Sequence, residues 1–401
     1  MRIIKIISKK NIAFLAIILL PFDQVFSSVF PNFAYSPFRV LTIVLALFFF
    51  QYNISKLKPF KGIILLFFVY SILALVSIIW SSNIEKSFLY AVQLFVMLMF
   101  TIVSVSELSK EENIISKLAF FGALAGGVVS VLAVTGYFNA EELTPQHRLS
   151  FQGIGINAVA ISVGFAFLLG ISYFFLQKGS PLKKQIVLLT LLAMLYFLIR
   201  TGTRSAVAGV FIAIGLAYPL SFKIKLKSLI SLIIVFSVLL FAFNYMLENY
   251  VSARIAERIL SIGVEDIKTN SRLDLWRIGI NWYNSNILGT GAGNETVAYQ
   301  FIDNKEAHNV FVSSLIQLGI PAFLMVLVAY IIIFLLIKKI KNANYKFSAF
   351  LIYFFLLVQS MKGSFLQTRL FWIPLTIVMT IVIIDRRFRI NKSSLLSGIN
   401  F

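Results

Sequence analysis

The chain of 401 residues contains no cysteine, which excludes disulfides, thiolate nucleophiles and cysteine metal sites together. It has two histidines, His147 and His308, too far apart to form a local metal motif. No Asp-x-Asp pair stands in an extramembrane stretch, which argues against a divalent-metal diphosphate site. No metal and no other cofactor is therefore expected. Charge is scarce as well: Asp, Glu, Lys and Arg together make up 13% of the chain, and only 16 residues are acidic. A water-soluble domain does not combine so little charge with 59% hydrophobic residues and a mean hydropathy of +0.90.

What is present describes a polytopic membrane protein of the all-α class. The 41 Phe and 15 Tyr suit a lipid-facing surface with amphipathic rings at its borders. A spanning helix needs about 20 mainly apolar residues. The hydropathy predicts about twelve spans, at 12–30, 38–51, 62–80, 88–105, 118–136, 157–176, 186–200, 205–221, 228–246, 308–337, 347–361 and 370–385. The second, seventh, eighth and eleventh are short for a crossing. The first follows the basic start MRIIKIISKK without a small-residue cleavage site, and reads as an uncleaved helix.

Lysine and arginine set the orientation, because short cytoplasmic loops retain them. With the N-terminus inside, the inner segments hold most of the 36 basic residues, among them Lys56, Lys58, Lys61, Lys178, Lys183 and Lys184. Later inner segments add Lys223, Lys225, Lys227, Lys338, Lys339, Lys341 and Lys346, then Arg386, Arg387, Arg389 and Lys392. Both termini are expected in the cytoplasm. The formal net charge of +20 is mainly this topological signal plus attraction to anionic lipid, so membrane lipid is a partner and nucleic acid is not.

The chain reads as one integral membrane domain, 1–401, with a large helical extracytoplasmic loop, 247–307, between spans nine and ten. Within that loop SRLDLWRIGINWYNSN starts with Ser271 three residues before Asp274, a capping-box-like pattern, followed by Trp276, Ile280 and Tyr283 at helical spacing. Such a helix can lie on the outer membrane surface, with Arg272 and Arg277 near the headgroup plane. The next stretch, GTGAGN from Gly289 to Asn294, is a flexible turn whose N–H groups are a weak candidate for an anion site. At the same outer face LIRTGTRSAVAGV places Arg200 and Arg204 around the hairpin of spans seven and eight. Two readings remain open for them: interfacial anchors, or, with Ser205, Ala206, Ala208 and Gly209 permitting close packing, an Arg204 directed into a polar cleft. Asp23 lies in the first span and Arg39 enters the second from the outer side, which predicts a structural ion pair, with Arg39 also near the cleft.

Three segments in this order, TGTRSAVAG, NSRLDLWRIGINWYNSNILGTGAGN and AHNVFVSSLIQLGIPAF, resemble the superfamily of O-antigen ligases and Wzy-type O-antigen polymerases. The likeness covers mainly residues 195–325. After the family's His-Asn pair come nine residues and Gly-x-x-Gly; here Gly319 fits and Ala322 replaces the second glycine. The resemblance implies a metal-independent, inverting glycosyl transfer from a polyprenyl-diphosphate-linked glycan, such as one on undecaprenyl diphosphate, to an acceptor hydroxyl. The acceptor is a glycan or lipid A-core, the setting is the outer side of the bacterial inner membrane, and a chain-length regulator protein is a further partner. On this reading His308 is the catalytic base or acceptor-orienting group, with Glu306 as the competing base and Asn309 as a substrate contact. Arg204, Arg272 and Arg277 bind the diphosphate, and Arg200 and Arg39 are additional contacts. His147 reads as loop structure, with Arg148 next to it.

Polymerase and ligase share this donor chemistry, and the relaxed glycine at Ala322 leans towards polymerase. A lipid-linked glycan flippase is the competing class. It is expected to carry ionisable groups deep in several helices or an internal repeat of the spans, and apart from Asp23 the span centres are almost free of charge.

Overall fold

The computed structural model describes residues 8–23, 25, 37–52, 54–136, 155–176, 180–223, 245, 271–300, 306–364 and 366–397. The described residues form helices and turns and no strand. In chain order the helices are α1 Lys9–Leu19, α2 Pro37–Leu47, α3 Lys61–Val76, α4 Ile84–Leu108, α5 Ile114–Val134 and α6 Ile156–Leu176. Then come α7 Pro181–Thr201, α8 Arg204–Ser221, α9 Ser271–Ser285, α10 Val310–Lys338, α11 Ala343–Ser360 and α12 Arg369–Ser397. Short 3-10 turns extend α1 through Leu20–Phe22, α2 through Phe48–Gln51 and α3 through Ser77–Ile79, and a further one covers Glu295–Tyr299.

Among the described residues seven helices are long and apolar enough to cross a membrane, so the chain is a polytopic helical membrane protein. The described part of each expected span other than the ninth is helical; in the first span residues 24 and 26–30 lie outside the described residues, and α12 runs on past 385. Span nine apart from Tyr245, residues 247–270 and 301–305 of the large loop, His147, Arg148, Glu265, Asp266 and Asp303 lie outside the described residues.

The centre of the bundle is built on α6. Of its most apolar window 72% is buried, against 33% for α7, which places α6 inside and leaves much of α7 to lipid. α5, α7, α8 and α11 pack on α6, and α4 packs against α1, α2, α3 and α12. The most extensive contact joins α8 to α11. Its closeness depends on Gly209, where a Cβ would sit 2.4 Å from Gln359 Nε2 and 3.1 Å from the Phe355 ring. Gln359 Nε2 donates to Ser205 O at 2.8 Å, so the small residues after Arg204 do let another helix approach.

Two buried acids tie the ends of the bundle. Asp23 is fully buried and pairs with Arg39 at 2.9 Å, as the sequence predicts, and also with Arg369 of α12 at 3.1 Å. At the other end Asp385 accepts from Lys341 N and Asn342 N and pairs with Arg389 at 3.1 Å, fixing the α10–α11 turn on α12.

The two partners of Asp23 differ in exposure: the Arg369 side chain is 13% exposed and that of Arg39 50%. Removing one partner of a buried pair costs about 3–5 kcal/mol, whereas a solvent-screened contact contributes about 1 kcal/mol or less. Asp23→Ala is therefore expected to lower the thermal midpoint of the detergent-purified protein strongly, and Arg39→Gln only slightly. An Asp23→Ala protein that melts with wild type would refute the structural role of the pair.

Candidate functional site

The site is organised by a break in α10. Gly319 adopts φ 78° and ψ −172° inside the helix, and Pro321 has no N–H to give to the carbonyl of Gln317. Ile320 N is turned away to the Tyr283 hydroxyl at 3.3 Å. The carbonyls of Ile316 and Gln317 are thereby released from the helix, and the 289–294 loop takes them. Thr290 N donates to Ile316 O at 2.9 Å and Gly291 N to Gln317 O at 3.0 Å. Gly289, at φ 77°, admits this approach: a Cβ there would lie 2.6 Å from both carbonyl oxygens. Ala292 N bonds Ser77 Oγ at 3.0 Å and Gly293 N bonds Gln317 Oε1 at 2.9 Å. The GTGAGN stretch is thus no flexible anion turn. Its N–H groups are used to dock the loop on α10 and on the α3–α4 corner.

That docking positions Glu295, the first residue after the loop. Its buried carboxylate accepts hydrogen bonds from the backbone N–H of Ala307 and from Ser313 Oγ, from Gln317 Nε2 at 3.3 Å, and from Ser364 Oγ at 3.5 Å. Burial is the main influence on Glu295 and raises its pKa; the bonds from Ser313, Ala307 and Ser364 oppose this, and the charge of Glu306 reinforces it. On the other side of the same residue, Trp276 Nε1 of α9 donates to Ala307 O at 2.8 Å. Ala307 is fully buried and held at both its N–H and its C=O.

His308 follows at φ 50°, a left-handed conformation that L residues avoid at a cost of about 1–2 kcal/mol. The residue after it is equally fixed. Asn309 caps α10, accepting from Phe311 N at 2.9 Å and Val312 N at 3.2 Å. With both neighbours immobilised, the unfavourable φ persists and the imidazole is exposed at the mouth of α10. Asn309 is buried and its side-chain oxygen serves the helix cap.

The expected cations are distributed unevenly around this point. Arg204 is the first residue of α8 and Arg272 the second of α9, both half-buried. Burial lowers the pKa of Arg272, and the nearby charge of Arg204 lowers it further. The His308 pKa is lowered first by burial, raised by Glu306 and lowered by Arg272. Arg204 thus acts on Arg272, and Arg272 and Glu306 act on His308, in a chain that runs from α8 through α9 to the start of α10. Arg200 lies in the last turn of α7, before the αL turn at Gly202. Arg277 projects outward with Asp274 at 3.8 Å, both highly exposed, and Arg39 belongs to the Asp23 pair.

Several contributors escape sequence reasoning. α9 buries Leu275, Gly279 and Tyr283, and Ile280 faces outward, because Gly279 is where α9 meets Ile316 and the Tyr299 hydroxyl. Glu295 carries one signal in the sequence, an acid two residues after the last of three closely spaced glycines. Ser313, Gln317, Ser364 and Arg369 carry none, since their partners are distant in sequence.

Residues 189–327 match the family model described as O-antigen ligase. The matched segment is about a third of the chain, and it contains Arg200, Arg204, Arg272, Arg277, Glu295, Glu306, His308 and Asn309. It supports a function of the O-antigen ligase and polymerase type, which acts on lipid-linked glycans. No curated protein matches the chain.

Glu295→Ala removes the acceptor for Ala307 N–H and Ser313, whereas Glu295→Gln keeps a carbonyl that can accept from Ala307. Losing a buried acceptor costs about 1–3 kcal/mol. Glu295→Ala is expected to lower the melting point and to expose the 300–309 segment to limited proteolysis, with Glu295→Gln much closer to wild type. Identical digestion of the alanine variant and wild type would show that the carboxylate does not hold this segment.

Proposed function

We propose, taking the likeness of residues 189–327 to O-antigen ligases as the premise, that this protein transfers a glycan from a polyprenyl diphosphate to an acceptor hydroxyl. The reaction belongs to the outer face of the bacterial cytoplasmic membrane, with both termini on the inner side. The observation that carries this reading is that Arg272, at the start of α9, stands in the field of Arg204 of α8 and itself acts on a backbone-constrained His308 before α10.

The residues match the demands of the reaction. The bond from sugar C1 to the diphosphate oxygen breaks, a bond from C1 to the acceptor oxygen forms, and the acceptor hydroxyl loses its proton. The departing diphosphate gains negative charge, which two guanidiniums in a partly desolvated site stabilise without reorganising. The proton goes to the imidazole. A lowered pKa keeps His308 neutral near pH 7 and ready to accept it. Attack from the side opposite the leaving group inverts the anomeric centre. Glu306, exposed two residues before His308, is the alternative base. Arg277 stands farther out, suited to meeting the donor headgroup before it seats, and Arg200, half-buried in the last turn of α7, is an additional contact.

Between the two family activities, we favour polymerisation, transfer of the growing chain to another lipid-linked repeat, on the replacement of a motif glycine by Ala322. Ligation to lipid A-core is the alternative, favoured by the description of the matching family. Purified protein given lipid-linked repeats alone is expected to extend them. Transfer that occurs only when lipid A-core is added would assign the ligase activity instead.

His308→Ala is expected to lower turnover by at least about a hundredfold, the usual contribution of a general base, and Arg204→Ala by about a hundredfold through loss of leaving-group stabilisation. Wild-type turnover from either variant removes that residue from the chemistry. The pH–rate profile tests the base separately. Because the folded environment lowers the His308 pKa, activity is expected to rise with pH through a limb below the ordinary histidine range. Arg272→Gln removes a cation that disfavours imidazolium, so this limb moves to higher pH; Glu306→Gln removes an anion that favours it, so the limb moves lower. A limb that stays put in both variants would assign it to another group.

A further inference from the structure

The end of the bundle opposite His308 carries two adjoining concavities of opposite character. α4 has 25 residues and starts beside the 289–294 loop, where Ser87 Oγ donates to Ala292 O. Its last turn therefore lies about 35 Å from that loop, at 1.5 Å per residue.

At that far end a polar pocket of about 440 Å³ is lined by Lys9, Gln51, Tyr52, Glu107, Lys110 and Arg387, among others. These residues come from the start of α1, the end of α2, the end of α4 and the last part of α12. Lysines at such a position are ordinarily a solvated face, but here the cations are held in place. Lys9 Nζ donates to Gln51 and lies 4.3 Å over the Phe48 ring. Lys110 pairs with Glu107 at 2.5 Å, and Arg387 Nη1 donates to Ser109 O at 2.6 Å. Glu107 is the one acid in the lining, and it also accepts from the Tyr52 hydroxyl. Three cations thus face one carboxylate, which leaves the lining a net charge of +2 (3 − 1).

Directly next to this pocket an apolar groove of about 610 Å³ runs between α2, α3 and α4, lined by Phe49, Leu65, Phe68, Phe95, Leu98 and Ile102, with Lys61 at its edge. The linings of the two hollows adjoin along three stretches of chain. On α4, Ile102 of the groove and Ser106 of the polar pocket are one turn apart on the same face. Phe49 and Tyr52 are one 3-10 turn apart after α2, and Leu57 lies at a kink four residues before Lys61, the first residue of α3. The lining changes from hydrocarbon to cationic within about 6 Å of helix rise. Leu65 and Phe68 are strongly exposed on the groove side.

We infer that this pair of hollows is a binding site for one anionic phospholipid, with its phosphate headgroup held by Lys9, Lys110 and Arg387 and an acyl chain in the α2–α3–α4 groove. A free anion accounts for the cations and leaves the groove unexplained. A zwitterionic lipid accounts for the groove and leaves the excess positive charge unexplained. The site is far from the residues proposed for glycosyl transfer and stands independently of that reading.

Delipidated full-length protein in detergent, titrated with phosphatidylglycerol or phosphatidylcholine of the same chains and read by native mass spectrometry, tests it. Phosphatidylglycerol is expected to be retained preferentially, and Lys9→Gln and Arg387→Gln are each expected to weaken it about fivefold, the usual effect of one basic residue on an anionic membrane lipid. Met99, which also lines the groove, provides the second variant: Met99→Trp fills the hydrocarbon part and is expected to lower retention with every cation in place. Unchanged melting without lipid shows that each variant folds. Equal retention of the two lipids by wild type, wild-type retention by the variants, or full displacement by millimolar inorganic phosphate would each overturn the assignment.

Discussion

Backbone carbonyls at membrane depth must find donors, because no water is present to supply them. In α10 the combination of Gly319 and Pro321 leaves the carbonyls of Ile316 and Gln317 without their helical partners. The loop at 289–294 answers them with its own N–H groups. Much of this end of the described structure follows from that exchange. A helix interrupted near its start is ordinarily a weakness; here the interruption is the attachment point for a segment that is otherwise polar and rich in glycine.

The attachment fixes Glu295, and Glu295 with Trp276 fixes Ala307. The constraint then passes along the chain, since a residue between an immobilised alanine and a capped helix start has little conformational choice. The position of His308 is set by its backbone, and no hydrogen bond to its imidazole is found among the described residues. Arg204 reaches the same place by a different route. It sits at the start of a helix whose small residues lie against α11, so its position is set by helix packing and by the bond from Gln359 to Ser205 O.

The features legible in the sequence are those whose cause is local or periodic. Hydropathy marks the apolar helices, the Ser271 to Asp274 pattern marks the start of α9, and the lone acid of the first span finds the arginine of the second. The parts that stayed hidden depend on residues far apart in the chain. Glycines 289, 291 and 293 read as a loose turn because their partners, Ile316 and Gln317, become available only when a helix breaks. Ile280 has the right spacing to be buried and is exposed, because the approach of α10 at Gly279 selects the neighbouring stripe. Nothing near Arg369 announces that it will share Asp23. The arginines of the candidate site were legible as residue types, and the structure adds that Arg204 acts on Arg272 and Arg272 on His308, while Arg277 turns to Asp274.

The double pairing of Asp23 takes on another meaning when the order of biosynthesis is considered. A membrane chain is inserted helix by helix, and a carboxylate in its first helix has to survive in lipid until its final neighbours exist. Arg39 is made 16 residues after Asp23, while Arg369 arrives with α12, after every other described helix. The half-exposed partner is therefore the one present early, and the buried partner comes last. Arg39 is the partner nearest in sequence, and Arg369 closes α1 against α12, the last described helix.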